Sequence, residues 1–415
     1  MTEPLKIAIA GGGIGGLALA LTLHRAGFSP VVFERSKSIN ELGVGINILP
    51  HAIRQLADLG LLDALDKIGI RTRELVYKTT TGQDILRQPR GTWAGYDVPQ
   101  FSIHRGKLQA CLADAVTERL GPNAIRTGHK LVDFTQDDNG VSVRFDSDTG
   151  PVSDRFDVLV GADGIHSTVR KAWHGEQGPP SWQGIVMWRG ATWSAPYLDG
   201  QTMIIAGGMR SKLVLYPIYN DPARPDETLM NWVICANVAT ADDALPHPDD
   251  WSRRGDLDEV MQHVTGKIGI PEMDIPALIK ATEDIYVYPM CDRDPLDQWT
   301  HGRVTLLGDA AHPMYPVGSN GASQAILDAV ALARYLKQDG IAGLAPYDGE
   351  RRTATADIVR ANRKGGPERV IDLVEDRAPN GFQTLDQVAT PDELRAIVGE
   401  YQTMAGYRPE QVNRA

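Results

Sequence analysis

The sequence predicts an α/β fold: a doubly wound parallel sheet, an inserted and mainly antiparallel β-sheet, and C-terminal helices. Three observations carry this prediction. Residues 5–10 (LKIAIA) form a short apolar run that leads into a glycine cluster and then a helical pattern. Two later runs, FDVLVGADG (156–164) and RVTLLGDAA (303–311), are continuously apolar and end in small residues, as buried parallel strands do. Between them, residues 182–290 hold short β-like runs (GIVMWRG, MIIAGG, KLVLYPI, NWVICANV, DIYVYPM) separated by Gly, Pro, Asn and Asp.

Taken in order, the first run is followed by Gly11-Gly12-Gly13-Ile14-Gly15-Gly16 and a helical pattern from Leu17 to Arg25 that stops at Gly27. A second run, Pro30 to Phe33, closes on Glu34, completing a βαβ unit in about 30 residues. In the GxGxxG pattern Gly11 makes the turn, Gly13 lets the backbone approach a pyrophosphate, and Gly16 lets the helix pack on the strand. Glu34, 18 residues beyond Gly16, is placed to accept hydrogen bonds from a ribose diol. Residues 103–120 alternate at helical spacing before the stop at Gly121-Pro122. Residues 130–147 change to period two around a turn at Asp138-Asn139-Gly140. The strand ending in Gly161-Ala162-Asp163-Gly164 runs into a helix opened by Ser167 and closed by Arg170, read as an anion site near the helix N-terminus. Asp309 comes at the end of the third buried strand, and a helix follows from about Ser323 to Gln338. Residues 350–375 read as helical and the chain from 377 is weakly patterned. The expected division is a discontinuous dinucleotide-binding domain (1–180 and 285–375), a β-rich substrate domain (181–284) and a tail (376–415).

Composition limits the function classes. With 42% hydrophobic and 23% charged residues the chain has the apolar mass for large cores, so disorder is excluded. A net charge of -11 with no run of five basic residues excludes a nucleic-acid partner. The three cysteines are scattered without CxxC spacing, and no HExxH or clustered Cys/His occurs, so no metal site is expected. Residues 7–23 are uncharged over 17 positions, but five glycines there argue against an export signal or a spanning helix. The expectation is a cytoplasmic protein, monomer or homodimer, with no membrane partner.

All three glycine-bearing motifs occur in order and well spaced, and over roughly residues 5–365 the chain resembles the single-component FAD-dependent aromatic hydroxylases, the p-hydroxybenzoate and salicylate hydroxylase superfamily. That resemblance implies a Rossmann-like FAD domain of the glutathione-reductase type. It also implies bound FAD, NADH or NADPH as a transient reductant, and a small aromatic substrate hydroxylated with O2 through a flavin C4a-hydroperoxide. By the resemblance Gly11, Gly13, Ile14, Gly15, Gly16, Glu34 and Arg35 hold the ADP half of FAD. Gly45, Arg105, Leu131, Asp163, Gly164 and Asp309 complete the cofactor site, Asp163 serving the nicotinamide cofactor as well. The loop His312–Gly321 departs from the commonest pattern, with Ser319-Asn320-Gly321 where many members carry Gly-Gln-Gly. Its Pro316, Gly318 and Asn320, with Gly321 and Ala322 at the following helix start, are expected to position the flavin and favour its anionic reduced form. The wording GDAAHPMYPVGSNGASQAILDA, with GVGINILPHA, QFSIHRGKLQ, MWRG and YPMCDRDPL, looks most like the phenazine-carboxylate hydroxylase branch. That implies a flat, fused aromatic or heteroaromatic substrate, with a carboxylate that hydroxylation can displace.

Substrate candidates come from the β insert and the flavin loop: Trp188, Arg189, Tyr216, Trp232, Tyr315 and Pro316. Tyr216 and Tyr315 are also candidates for action at the flavin face. For each Tyr or Trp, core packing competes, and for Arg189 a structural ion pair competes with a substrate carboxylate. His312 reads either as a flavin-positioning group or as a satisfied cap histidine. Two rival functions stay open: an FAD oxidase or reductase of the same fold, and a flavin or nucleotide sensor without turnover.

Overall fold

The computed structural model describes residues 4–39, 43–175, 177–240, 242–246 and 253–413. The parallel sheet has five strands in the order Val304–Leu306, Val158–Gly161, Ile7–Ala10, Val31–Phe33 and Ile125–Arg126. Ala10 pairs with Gly161, and Gly161 pairs with Leu306. Three strands therefore end at one level, which brings the glycine turn, the GADG segment and the GD turn to a single edge. Helix Ile14–Ala26 is buried on nearly every side, because it lies between this sheet and helix Gly321–Asp339, where Thr22 Oγ1 reaches the Ala329 carbonyl at 3.2 Å. Gly27, at φ 100°, ends it in a left-handed cap.

The period-two segment folds as expected into antiparallel strands His129–Asp137 and Gly140–Ser147, joined by Gly150–Phe156. The β insert is a seven-stranded sheet ordered Tyr286–Asp292, Ser181–Ser194, Thr228–Asn237, Ser211–Tyr219, Thr202–Ala206, Glu74–Lys78 and Asp84–Pro89. It thus extends outside the 181–284 span expected for it. Glu74–Lys78 joins from earlier in the chain by parallel pairing with Thr202–Ala206, a long-range contact that no local pattern announces.

Alternation along the strands gives this sheet two distinct faces. One buries Trp188, Leu213, Leu215, Trp232 and Ile234 against helices Leu257–Val264 and Ile275–Lys280. The other turns Met187, Val233, Cys235 and Met290 toward Tyr315 and Val317.

The tail is more ordered than its weak pattern suggests. Thr390 caps a helix over Pro391–Met404, whose Leu394, Val398 and Tyr401, spaced four and three apart, are buried. Tyr407 and Val412 beyond it also enter the main core.

Candidate active site

The glycine turn is built for a ligand on one side and for packing on the others. Gly11 has φ +112°, and a Cβ there would stand 2.2 Å from the Ala162 carbonyl oxygen. At Gly16 a Cβ would meet the Gly11 oxygen at 2.0 Å, whereas at Gly13 it would meet nothing within 4 Å. Gly13 is also the N-cap of helix Ile14–Ala26, which has no side-chain cap and no acid in its first turn. Its first N–H groups and the positive end of its dipole are left for an anion. Glu34 braces the turn: its Oε2 accepts from the Gly12 N–H at 2.7 Å and its Oε1 from the Ser36 N–H at 2.8 Å. Gln109, which the sequence did not single out, donates to the Gly12 carbonyl at 2.8 Å. Arg35 points into solvent.

Asp163 and Asp309 lie along the same edge. Asp163 Oδ2 accepts from the Thr168 N–H at 2.7 Å, while its buried Oδ1 has no partner among the described residues. Desolvation raises its carboxyl, opposed by hydrogen bonds from Ser167 and nearby backbone N–H groups. An unmatched buried carboxylate oxygen is costly unless a ligand hydroxyl completes it. Asp309 is exposed at that edge; the protein packed around its carboxyl raises it by desolvation, and the charges of His312 and Arg105 pull the other way. Arg105 stands exposed at the first position of helix Arg105–Leu120, which His104 caps through Nδ1.

Two sequence readings are narrowed here. The helix opened by Ser167 does not close at Arg170 but runs over Thr168–His174, and the Arg170 guanidinium is taken up by the carbonyls of Ala310, Ala311 and Asp294 and by Gln177. Leu131 has its side chain buried in the core that holds Phe33 and Phe145, so only its backbone is left to meet a cofactor.

The GD turn rests on a buried charge cluster that the sequence analysis missed. Asp328, fully buried, accepts from Gly308 N–H at 3.0 Å, from His312 Nε2 at 2.6 Å and from Arg351 Nε at 2.7 Å. Burial pushes its carboxyl up, but the charges and hydrogen bonds of His312 and Arg351 outweigh this and hold it at about 2. His312 is accordingly a buried structural partner of Asp328. The available signal was an acid inside the apolar run AILDAVALA, since an unpaired acid is almost never fully buried.

The loop over residues 312–321 crosses above the sheet. Tyr315 and Val317 point down onto Met187, Val233, Cys235 and Met290, and Pro316 is exposed on the other side. Gly318 and Ser319 take left-handed φ values of 67° and 57°. Helix Gly321–Asp339 then begins at Gly321 and Ala322 with no side-chain cap and no acid in its first turn.

Of the substrate candidates, Arg189 and Tyr216 share the loop-facing side of the sheet. Arg189 donates from Nη2 to the Gly45 carbonyl at 2.8 Å and keeps its Nε unpartnered among the described residues. Tyr216 is buried and pushed up to about 12 by desolvation, opposed by the charge and hydrogen bond of Arg189. Asn231 binds the N–H of the same Gly45 at 2.8 Å, and a Cβ on Gly45 would lie 2.7 Å from Asn231, Ile218 and Tyr216. Trp188 and Trp232 are corrected: they face the opposite side, Trp188 stacking on His263 and Trp232 donating to Thr282 at 2.9 Å. A one-residue step along a strand reverses the face, and Trp188 sits one residue from Arg189.

The FAD binding domain family matches residues 4–362. The chain belongs to the FAD-binding-domain family. Phenazine 1,6-dicarboxylic acid hydroxylase PhzS of Lysobacter antibioticus is 46% identical over 401 residues, covering 94% of this chain and 97% of that protein. 3-Hydroxybenzoate 6-hydroxylase 1 of Aquipseudomonas alcaligenes is 31% identical over 366 residues, 86% of this chain and 88% of that one. A salicylate hydroxylase solved with its substrate shares the fold at TM-score 0.75 and 22% identity, covering 100% of this chain and 98% of its own. This family member is an FAD-dependent aromatic monooxygenase that uses NAD(P)H and O2. No helix among the described residues is long and apolar enough to cross a membrane.

Proposed function

We propose that this monooxygenase hydroxylates a flat, fused aromatic or heteroaromatic carboxylate held between the flavin loop and the seven-stranded sheet. The observation that carries this reading is the composition of the loop-facing side: Met187, Val233, Tyr288 and Tyr315 offer an apolar bed, and of the two cations there Lys212 is paired with Glu368, whereas Arg189 has no carboxylate partner among the described residues. A ring system gains from that bed, and a carboxylate gains a charge-assisted partner at the guanidinium. The 46% identity to a phenazine dicarboxylate hydroxylase supports the same substrate class. In the decarboxylative form, each ring consumes one NAD(P)H and one O2. One oxygen atom replaces the carboxylate as hydroxyl, the other leaves as water, and CO2 departs.

The bound FAD supplies electron transfer from NAD(P)H and activation of O2. The chain's own groups do the rest. The open Gly13 turn and the free N-terminus of Ile14–Ala26 take the pyrophosphate, Glu34 takes the adenosine ribose, and Asp163 and Asp309 take the remaining hydroxyls. The N–H groups of Gly321 and Ala322 stand at the positive end of a helix and favour negative charge on the ring that faces them. Tyr315 and Val317 close the apolar bed against water, and Pro316 lies on the open side. Arg189, tied to Gly45, orients the substrate through its carboxylate while Tyr216 holds the guanidinium. Dependence on NAD(P)H, a metabolite of the cytoplasm, supports a cytoplasmic location.

The test is anaerobic reduction of the purified yellow protein by NADH and by NADPH, with and without phenazine, quinoline, salicylate and hydroxypyridine carboxylates. A carboxylated aromatic that sharply accelerates flavin bleaching supports the reading and names the substrate class. Bleaching by the aromatic alone, without NAD(P)H, would instead mark an oxidase.

A further inference from the structure

The loop over residues 315–320 holds a conformation that its own sequence does not favour. Ser319, a non-glycine residue, lies at φ 57°, and Gly318 beside it at φ 67°. A left-handed serine persists only where the surroundings over-determine it. Those surroundings are the Glu368 carboxylate, which accepts from the Gly318 N–H at 3.2 Å, and one hydroxyl that reaches both ends of the loop. Tyr401, from the tail helix Pro391–Met404, accepts from Asn320 Nδ2 at 3.0 Å and donates to Asn362 Oδ1 at 2.7 Å. Asn362 in turn donates from Nδ2 to the Tyr315 carbonyl at 3.0 Å. One buried chain thus ties the first residue of the loop to the last. The Tyr401 ring also fills the space over Gly318, where a Cβ would lie 2.7 Å from the phenol oxygen. Burial pushes this phenol well above its usual value, so it stays neutral and serves as donor and acceptor together. The family match ends at residue 362, so this group enters the site from outside the matched domain.

We infer that Tyr401 is a positioning residue for hydroxylation: its hydroxyl, bridging Asn320 and Asn362, sets the loop that borders the flavin and the substrate bed. The inference rests on the proposal that this loop faces the flavin. Loss of the bridge leaves the cofactor site intact but lets the loop relax, so water reaches the ring edge and reducing equivalents drain to hydrogen peroxide instead of product.

The experiment compares Tyr401→Phe with the unaltered holoenzyme for flavin content, melting temperature, NAD(P)H consumption, product and peroxide. The expected result is unchanged flavin content with product per NAD(P)H lowered about fivefold, the scale of one lost buried hydrogen bond, and peroxide raised to match. Tyr407→Phe is the packing control, since Tyr407 is equally buried in the tail but bonds toward Arg90 and not to the loop; its coupling should equal that of the unaltered enzyme. Asn362→Ala removes the same bridge without touching the tail helix, and it decides the matter if Tyr401→Phe does not fold. Full coupling in Tyr401→Phe, or equal uncoupling in Tyr407→Phe, overturns the role of Tyr401. Gly318→Ala separates the two levels of the argument. If it uncouples while Tyr401→Phe does not, the loop assignment stands and Tyr401 falls; if neither uncouples, the loop assignment falls with it.

Discussion

Replacing Asp328 by Asn tests whether the buried charge cluster holds the GD turn in place. The carboxylate receives three donors, Gly308 N–H, His312 Nε2 and Arg351 Nε, and an amide can satisfy only one side of them. Its NH2 must then face a donor, and Arg351, only 9% exposed, keeps a charge without its counter-ion. Breaking one partner of a buried pair costs about 3–5 kcal/mol. For a chain this long, that corresponds to a melting temperature lower by roughly 3–6 °C. Because Gly308 precedes Asp309, the displaced turn should also weaken FAD retention. The pH dependence follows from the depressed carboxyl, held at about 2 against an unfolded value of about 3.9. Its contribution is fully present above the unfolded value and is lost as pH falls toward 2, a difference of roughly 2–3 kcal/mol. Differential scanning fluorimetry between pH 3 and 7 on both proteins, with flavin absorbance after desalting, is the assay. Asp328→Asn should flatten the acid limb. A variant that melts within about 1 °C of the parent, with full flavin and the same acid limb, would refute the reasoning.

Three further outcomes are expected. Glu34→Ala loses two hydrogen bonds that brace the glycine turn as well as the ribose acceptor, so the FAD dissociation constant should rise about 10- to 100-fold; a variant that retains full flavin through desalting would remove Glu34 from the site. Arg189→Met should raise KM for a carboxylated aromatic about 10- to 100-fold while leaving a neutral analogue little changed, and an equal effect on both would show that the arginine serves structure alone. Trp232→Phe gives up its bond to Thr282 on the far face of the sheet, so stability should fall by about 1 kcal/mol with kcat and KM unchanged; a shifted KM would put that face back in play.

Local pattern is enough to specify the dinucleotide-binding unit. Gly11, Gly13, Gly16 and Glu34 lie within one βαβ unit, and their roles are local: a turn angle, an open approach, a helix contact, an acid at the next strand end. The strand-end acids Asp163 and Asp309 were legible for the same reason. The features that no local pattern announces depend on pairing between distant segments. Strand Glu74–Lys78 joins the insert through register with Thr202–Ala206, and the side that Trp188 and Arg189 take depends on which layer covers each face. The anchoring of the loop is likewise non-local, with Asn320, Asn362 and Tyr401 meeting through buried hydrogen bonds from three parts of the chain. Periodicity reports how a segment is buried and motifs report short-range geometry, but neither fixes which remote polar group satisfies a buried donor, because that choice is made by the closing of the fold.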